Sequence, residues 1–88
     1  MPNLSTEERK TLLSELNQLL LADELTLGQA VRKIRTQLYG MSQSQYSAFV
    51  GLSEKTLRDI EKSNTDPKLS VLSKVFKPAG MKIIAQSK

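Results

Sequence analysis

Apolar residues recur along this chain in bursts at helical spacing. Four of the five bursts follow a hydroxyl residue, and all but the first end at a glycine or a proline-containing break. The first burst is Leu12, Leu16, Leu19 and Leu20, with Leu13 beside them. It follows Ser5-Thr6-Glu7-Glu8, the Ser-x-x-Glu spacing of a capping box. This predicts an amphipathic helix ending near Ala22-Asp23. Thr26 then opens a second helix whose inner face is Leu27, Ala30, Val31, Ile34 and Leu38. Arg32, Lys33 and Arg35 fall on its remaining surface, and Gly40 sits where a helix C-terminus favours glycine. Ser42 caps a third helix with Tyr46, Phe49 and Val50 on its apolar side, broken by Gly51. Ser53 caps a fourth, with Leu57 and Ile60 inward. The stretch Ser63-Asn64-Thr65-Asp66-Pro67 reads as a loop. A fifth short helix follows through Leu69, Leu72, Val75 and Phe76, stopped by Pro78-Ala79-Gly80. The period then changes. Met81, Ile83 and Ala85 alternate with Lys82, Ile84 and Gln86, the pattern of a short strand. A lone strand is an unpaired edge. Pairing with the same strand of a second subunit answers it; a frayed terminus is the alternative.

Composition narrows what such a chain can do. At 88 residues and 39% hydrophobic, it can build one small core, and a second copy would add burial that a domain of this size lacks. There is no cysteine and no histidine, which excludes disulfides, Cys/His metal sites and Cys- or His-based catalysis. No cofactor or metal is expected. The N-terminus MPNLSTEERK lacks the apolar core of a signal peptide, and Leu19-Leu20-Leu21-Ala22 is too short to span a bilayer. A cytoplasmic protein with no membrane partner is the expectation. The net charge of +4 is unevenly spread. Residues 1–26 carry two basic against five acidic side chains, a net −3; residues 27–88 carry eleven against four, a net +7. An acidic arm precedes a basic body, and a basic body suits a polyanion, nucleic acid first among them. Simple solubility is the competing explanation of the charge.

The helix pair at residues 42–50 and 53–62, joined at Gly51-Leu52, has the spacing of a helix-turn-helix. Gly51 can take a positive φ, Leu52 can plug the angle between the helices, and small Ser47 permits close approach. The second helix leaves Ser53, Glu54, Lys55, Thr56, Arg58, Asp59 and Lys62 for solvent or DNA. Lys55 and Arg58 are three apart and share a face. Arginine can bond guanine bidentately, lysine can do likewise or neutralise phosphate, and Glu54 can accept from a cytosine amino group.

From Leu27 to Met81, about 55 of the 88 residues, the chain resembles the lambda-repressor-like, or Xre/Cro, helix-turn-helix family. LGQAVRKIR is similar to that family's first helix, and GMSQSQYSAFVGLSEKTLRDIEKSNTDPKLSVLSKVF follows its pattern. Gln43, Gly51, Ser53, Thr56 and Glu61 fall on its opening glutamine, turn glycine, cap, threonine and helix-end acid. Pro67 and Leu69 match its Pro-x-Leu. The resemblance implies that Ser42 and Gln43 grip the sugar-phosphate backbone, with the glutamine bracing a recognition-helix side chain. It also implies phosphate contact from the following loop, at Asn64 and Lys68, and a structural Glu61 that caps or bridges locally. There are departures. Tyr46 replaces the usual leucine, Ser47 the usual alanine, and Ser63 a common glycine. Four residues rather than three separate Arg35 from Gly40. Pro78 stands where the last helix normally continues.

The expectation is therefore an all-α fold: a five-helix lambda-repressor-like DNA-binding domain with an extra N-terminal helix and a short C-terminal β-strand pairing across a dimer. Residues 1–26 would form the acidic helix, 27–80 the DNA-binding domain and 81–88 the strand or tail. The DNA-binding set is Ser42, Gln43, Ser53, Glu54, Lys55, Thr56, Arg58, Lys62 and Asn64; the dimerisation set is Met81, Ile83 and Ala85. The ending AGMKIIAQ resembles HipB-type antitoxins, which implies a repressor of its own operon, a palindromic double-stranded DNA operator, a homodimer and a HipA-type kinase toxin as partner. A stand-alone phage- or plasmid-type regulator and a module that mainly holds a protein partner are the alternatives. An enzyme is not expected. Without His or Cys, catalysis would rest on Asp, Glu, Lys, Ser or Tyr, and the chain shows neither a glycine-rich phosphate loop nor a carboxylate pair in a credible cleft.

Overall fold

The computed structural model describes residues 4–83. Among them the secondary structure is helical and no strand is present. Five α-helices follow one another: α1 (Thr6–Leu21), α2 (Leu27–Lys33), α3 (Gln43–Val50), α4 (Glu54–Glu61) and α5 (Leu69–Phe76). The acidic N-terminal helix is one of the five. A π-helical segment (Ile34–Leu38) extends α2, and a single 3₁₀ turn (Lys77–Ala79) follows α5.

The helix starts are set locally. Ser5, Thr26 and Ser42 each form a reciprocal capping box, with Glu8, Gln29 and Gln45. At α1 the Glu8 carboxylate accepts from the Ser5 amide, and this bond holds its carboxyl below the ordinary carboxylate value. Ser53 caps α4 by accepting from the Thr56 amide. Lys68, ahead of α5, offers no side-chain cap. Proline inside the last turn ends α5 early: the chain tightens to 3₁₀ at Lys77-Pro78-Ala79 and leaves through a left-handed Gly80. Residues 81–83 have no regular secondary structure, with Met81 and Ile83 half-buried and Lys82 exposed. Ala85, the third residue of the expected strand, lies outside the described residues.

The core gathers Leu16 of α1 with Ala30, Val31, Ile34, Leu38, Tyr46, Leu57, Ile60, Val75, Phe76 and Ala79. Leu16 is almost fully buried, so α1 packs on its own chain, with Leu12, Leu13 and Leu20 half-buried around it. Burying a leucine contributes about 1.5–3 kcal/mol, and the half-buried Leu12, Leu13 and Leu20 add to it in docking a helix whose outward face is polar. Tyr46, in place of the family's leucine, is fully buried and donates its hydroxyl to the Val75 carbonyl at 2.7 Å. Burial pushes its phenol well above the ordinary tyrosine value. The larger residue thereby ties α3 to the last turn of α5.

Two expectations about burial are corrected. Phe49 is 53% exposed rather than inward. Its ring lies 5.6 Å from Tyr39 and 6.1 Å from Tyr46, so it covers the edge of an aromatic cluster instead of entering the core. Leu27 and Leu69, each the first residue of its helix, are 44% and 64% exposed. The first residue of a helix can lie on the periodic stripe yet project past the partner helices.

Candidate nucleic-acid interface

The turn between α3 and α4 follows from its residues. Gly51 takes φ 78°, a left-handed conformation that costs an L side chain about 1–2 kcal/mol. The Leu52 amide reaches back to the Ser47 carbonyl at 2.9 Å, which closes the end of α3. Leu52 is half-buried on the core and Ser47 is buried, as the turn requires. Ser53 then starts α4. Its hydroxyl accepts from the Thr56 amide at 3.1 Å and donates to Thr56 Oγ1 at 2.8 Å. Both side chains are thus held in the first turn, and the Thr56 hydroxyl keeps its own proton to donate outward.

Leu57 and Ile60 anchor α4 inward, one fully and one almost fully buried. Glu54, Lys55, Arg58 and Lys62 are exposed. None of their four side chains makes a hydrogen bond or ion pair within the described residues. Lys55, Arg58 and Lys62 are spaced three and four apart, so three cations project from one side of a short helix. Asn64 is exposed in the loop that follows, its amide bound to the Asp59 carbonyl at 3.0 Å. Ser42, exposed, and Gln43, half-buried, open α3.

A buried charge network fixes how these pieces sit. Arg35 Nε donates to Glu61 Oε2 at 2.7 Å and its Nη2 to Oε1 at 2.9 Å, a bidentate pair. Its Nη1 donates to the Met41 carbonyl at 2.9 Å, while the Met41 amide bonds back to the Arg35 carbonyl at 3.0 Å. Gln43 Nε2 completes the set, donating to Glu61 Oε1 at 3.2 Å. One guanidinium therefore ties the end of α4 to the residue before the Ser42 cap. This corrects two expectations. Arg35 is 9% exposed rather than on the surface, and Glu61 bridges to a residue 26 positions away rather than locally. Gln43 thus bonds a side chain of α4, that of Glu61.

The extra residue between Arg35 and Gly40 is taken up by the π-helical segment. The Tyr39 amide bonds the Ile34 carbonyl, five residues back, at 3.2 Å. The wider turn admits one more residue and still delivers Met41 to the Arg35 fork. Gly28 is a second feature that periodicity does not announce. A Cβ there would lie 2.2 Å from the Ile60 carbonyl oxygen and 2.8 Å from that of Glu61. The start of α2 therefore touches the backbone of α4 directly, and only glycine permits it.

A two-helix unit with a left-handed turn, a polar outward α4 and a brace to the start of α3 is the geometry of a DNA-reading helix-turn-helix. A family model described as helix-turn-helix matches residues 31–82. The chain belongs to that family, the Xre or lambda-repressor-like helix-turn-helix proteins. A domain of this family is a DNA-binding, transcription-regulating domain. No curated protein and no solved structure matches the chain. No helix among the described residues is long and apolar enough to cross a membrane, and no group of three or more carboxylates there could hold a metal ion.

Proposed function

We propose that this helix-turn-helix protein is a sequence-specific transcriptional repressor that binds a palindromic operator as a homodimer. The observation that carries the reading is α4 itself: Lys55, Arg58 and Lys62 project without an internal partner from a helix held at both ends by Ser53–Thr56 and Arg35–Glu61–Gln43. Cations left unpaired on a rigid helix are matched by phosphates and base edges. Arg58 and Lys55 read bases in the major groove, and Glu54 adds an acceptor for a cytosine amino group. Lys62, Asn64 and the start of α3, at Ser42 and Gln43, take phosphates; there the α3 N-terminus adds its amides. Ser53 and Thr56 set the first turn and present the Thr56 hydroxyl to the groove. Two copies joined through Met81, Ile83 and Ala85 would place their α4 helices in major grooves one helical turn, about 34 Å, apart.

The ending AGMKIIAQ and the acidic α1 support a narrower role, that of an antitoxin that represses its own operon and holds a HipA-type kinase toxin. Co-purification from the host with a kinase-like partner tests that role. The DNA reading is tested by binding to the region upstream of its own gene across a salt series. Affinity there should fall steeply with salt, roughly a decade per decade of salt for each phosphate neutralised. No binding at low salt overturns the proposal.

A further inference from the structure

Arg32 is exposed and lies outside the set assigned to DNA, yet it borders that set. Two residues of the α2 segment meet the end of α4: Gly28 lies against the Ile60 and Glu61 carbonyls, and Arg35 bonds the Glu61 carboxylate. Val31, between them, is fully buried. At about 100° per residue, Val31 falls about 60° to one side of Gly28 and Arg32 about 40° to the other. The α4 contact on α2 therefore has core on one side and Arg32 on the other. The same order holds around α4. Glu61, which faces α2, falls about 40° past the buried Leu57, and Arg58 falls about 60° beyond Glu61. Both arginines thus lie on the outer side of the α2–α4 contact, away from the core. The Arg32 side chain makes no hydrogen bond or ion pair among the described residues. The Thr36 hydroxyl bonds its carbonyl, at 2.9 Å, and not its guanidinium.

We propose that Arg32 clamps a backbone phosphate beside the major groove that α4 enters. A helix lying in the major groove has a phosphate backbone along each flank. Because α2 covers one flank of α4, a cation on the outer edge of α2 meets a backbone rather than a base. The guanidinium fork matches a phosphate bidentately, and Arg32 has no internal carboxylate to give up before it binds. Its neighbour Arg35 is engaged by Glu61 and the Met41 carbonyl, so the two arginines divide the work: one sets the α2–α4 angle and the other grips the duplex. A phosphate contact of this kind positions α4 and carries no sequence information of its own. The inference rests on the DNA reading above and adds α2 to the interface.

Binding of the full chain to a duplex from the region upstream of its own gene, followed across a salt series, tests it. Arg32→Gln should lower the slope of log affinity against log salt by about 0.9 for each subunit bound, and should weaken binding about 5- to 10-fold per subunit at 0.1 M salt. Arg32→Lys keeps the charge and should keep the slope. Lys10→Gln removes the same charge from α1 and should leave the slope at the wild-type value. Base preference among operator variants should be the same in Arg32→Gln as in the wild type, and so should urea stability, because the side chain holds nothing in the fold. Phosphate-ethylation interference should lose one position in each half-site in Arg32→Gln. A wild type that binds no duplex at low salt overturns the DNA reading and this contact with it. A wild type that binds while Arg32→Gln keeps its slope, an equal change in Lys10→Gln, or an altered base preference in Arg32→Gln overturns the Arg32 contact alone.

Discussion

Replacing Arg35 by methionine isolates what the buried fork contributes. Methionine keeps most of the aliphatic stem, so the loss is chiefly the guanidinium. Three bonds go: two to Glu61, at 2.7 and 2.9 Å, and one to the Met41 carbonyl at 2.9 Å. The Glu61 side chain, 4% exposed, keeps only the 3.2 Å bond from Gln43. Removing one partner of a buried pair typically costs about 3–5 kcal/mol, most of it the uncompensated charge left behind. A domain of this length has roughly 0.05–0.15 kcal/mol of stability per residue, so the loss is a large share of the whole. At about 4–8 °C per kcal/mol, the melting temperature should fall by more than 12 °C. Arg35→Met/Glu61→Met should be considerably more stable than either single variant, since no charge is stranded, and the coupling should reach about 2 kcal/mol. Urea unfolding followed by circular dichroism reads all three. If Arg35→Met alone does not fold, recovery of a cooperative transition in the double variant makes the same point. A single-variant loss below about 1 kcal/mol, or additive losses, would refute the reasoning.

Gly28→Ala should destabilise by about 1–3 kcal/mol and weaken DNA binding, because a methyl 2.2 Å from the Ile60 carbonyl must push α2 off α4; urea unfolding and binding measured together check both. Tyr46→Phe should cost about 1 kcal/mol by removing the buried hydroxyl bond to the Val75 carbonyl. The native phenol titrates above its unfolded value of about 10, so the wild type should lose stability as pH rises past about 10, and Tyr46→Phe should lose less over that range.

What the sequence disclosed was local. Ser5, Thr26, Ser42 and Ser53 announce their helices because a cap needs only a hydroxyl and a neighbour three residues on. Gly51 announces the turn, and Leu57 and Ile60 the inner side of α4, which leaves Lys55 and Arg58 outward by elimination. What it concealed was tertiary. Arg35 reads as surface because its partner lies 26 residues away. The one local hint, its spacing to Gly40, marks an extra residue without revealing that a π-turn absorbs it. Gly28 looks like any glycine near a helix start until the α4 backbone is seen against it. Phe49 sits on the periodic stripe, yet Tyr39 and Tyr46 leave its ring at the edge. Periodicity identifies the stripe but not where the packing partners end.

The central claim is that the outward face of α4 reads DNA sequence, and selection from a randomised duplex pool tests it most directly. The wild type should enrich a two-fold-symmetric motif. Arg58→Ala should retain duplex binding but lose about 1–3 kcal/mol of discrimination at one base position in each half-site. A wild type that enriches no motif, or an Arg58→Ala protein that enriches the same motif as strongly, would contradict it.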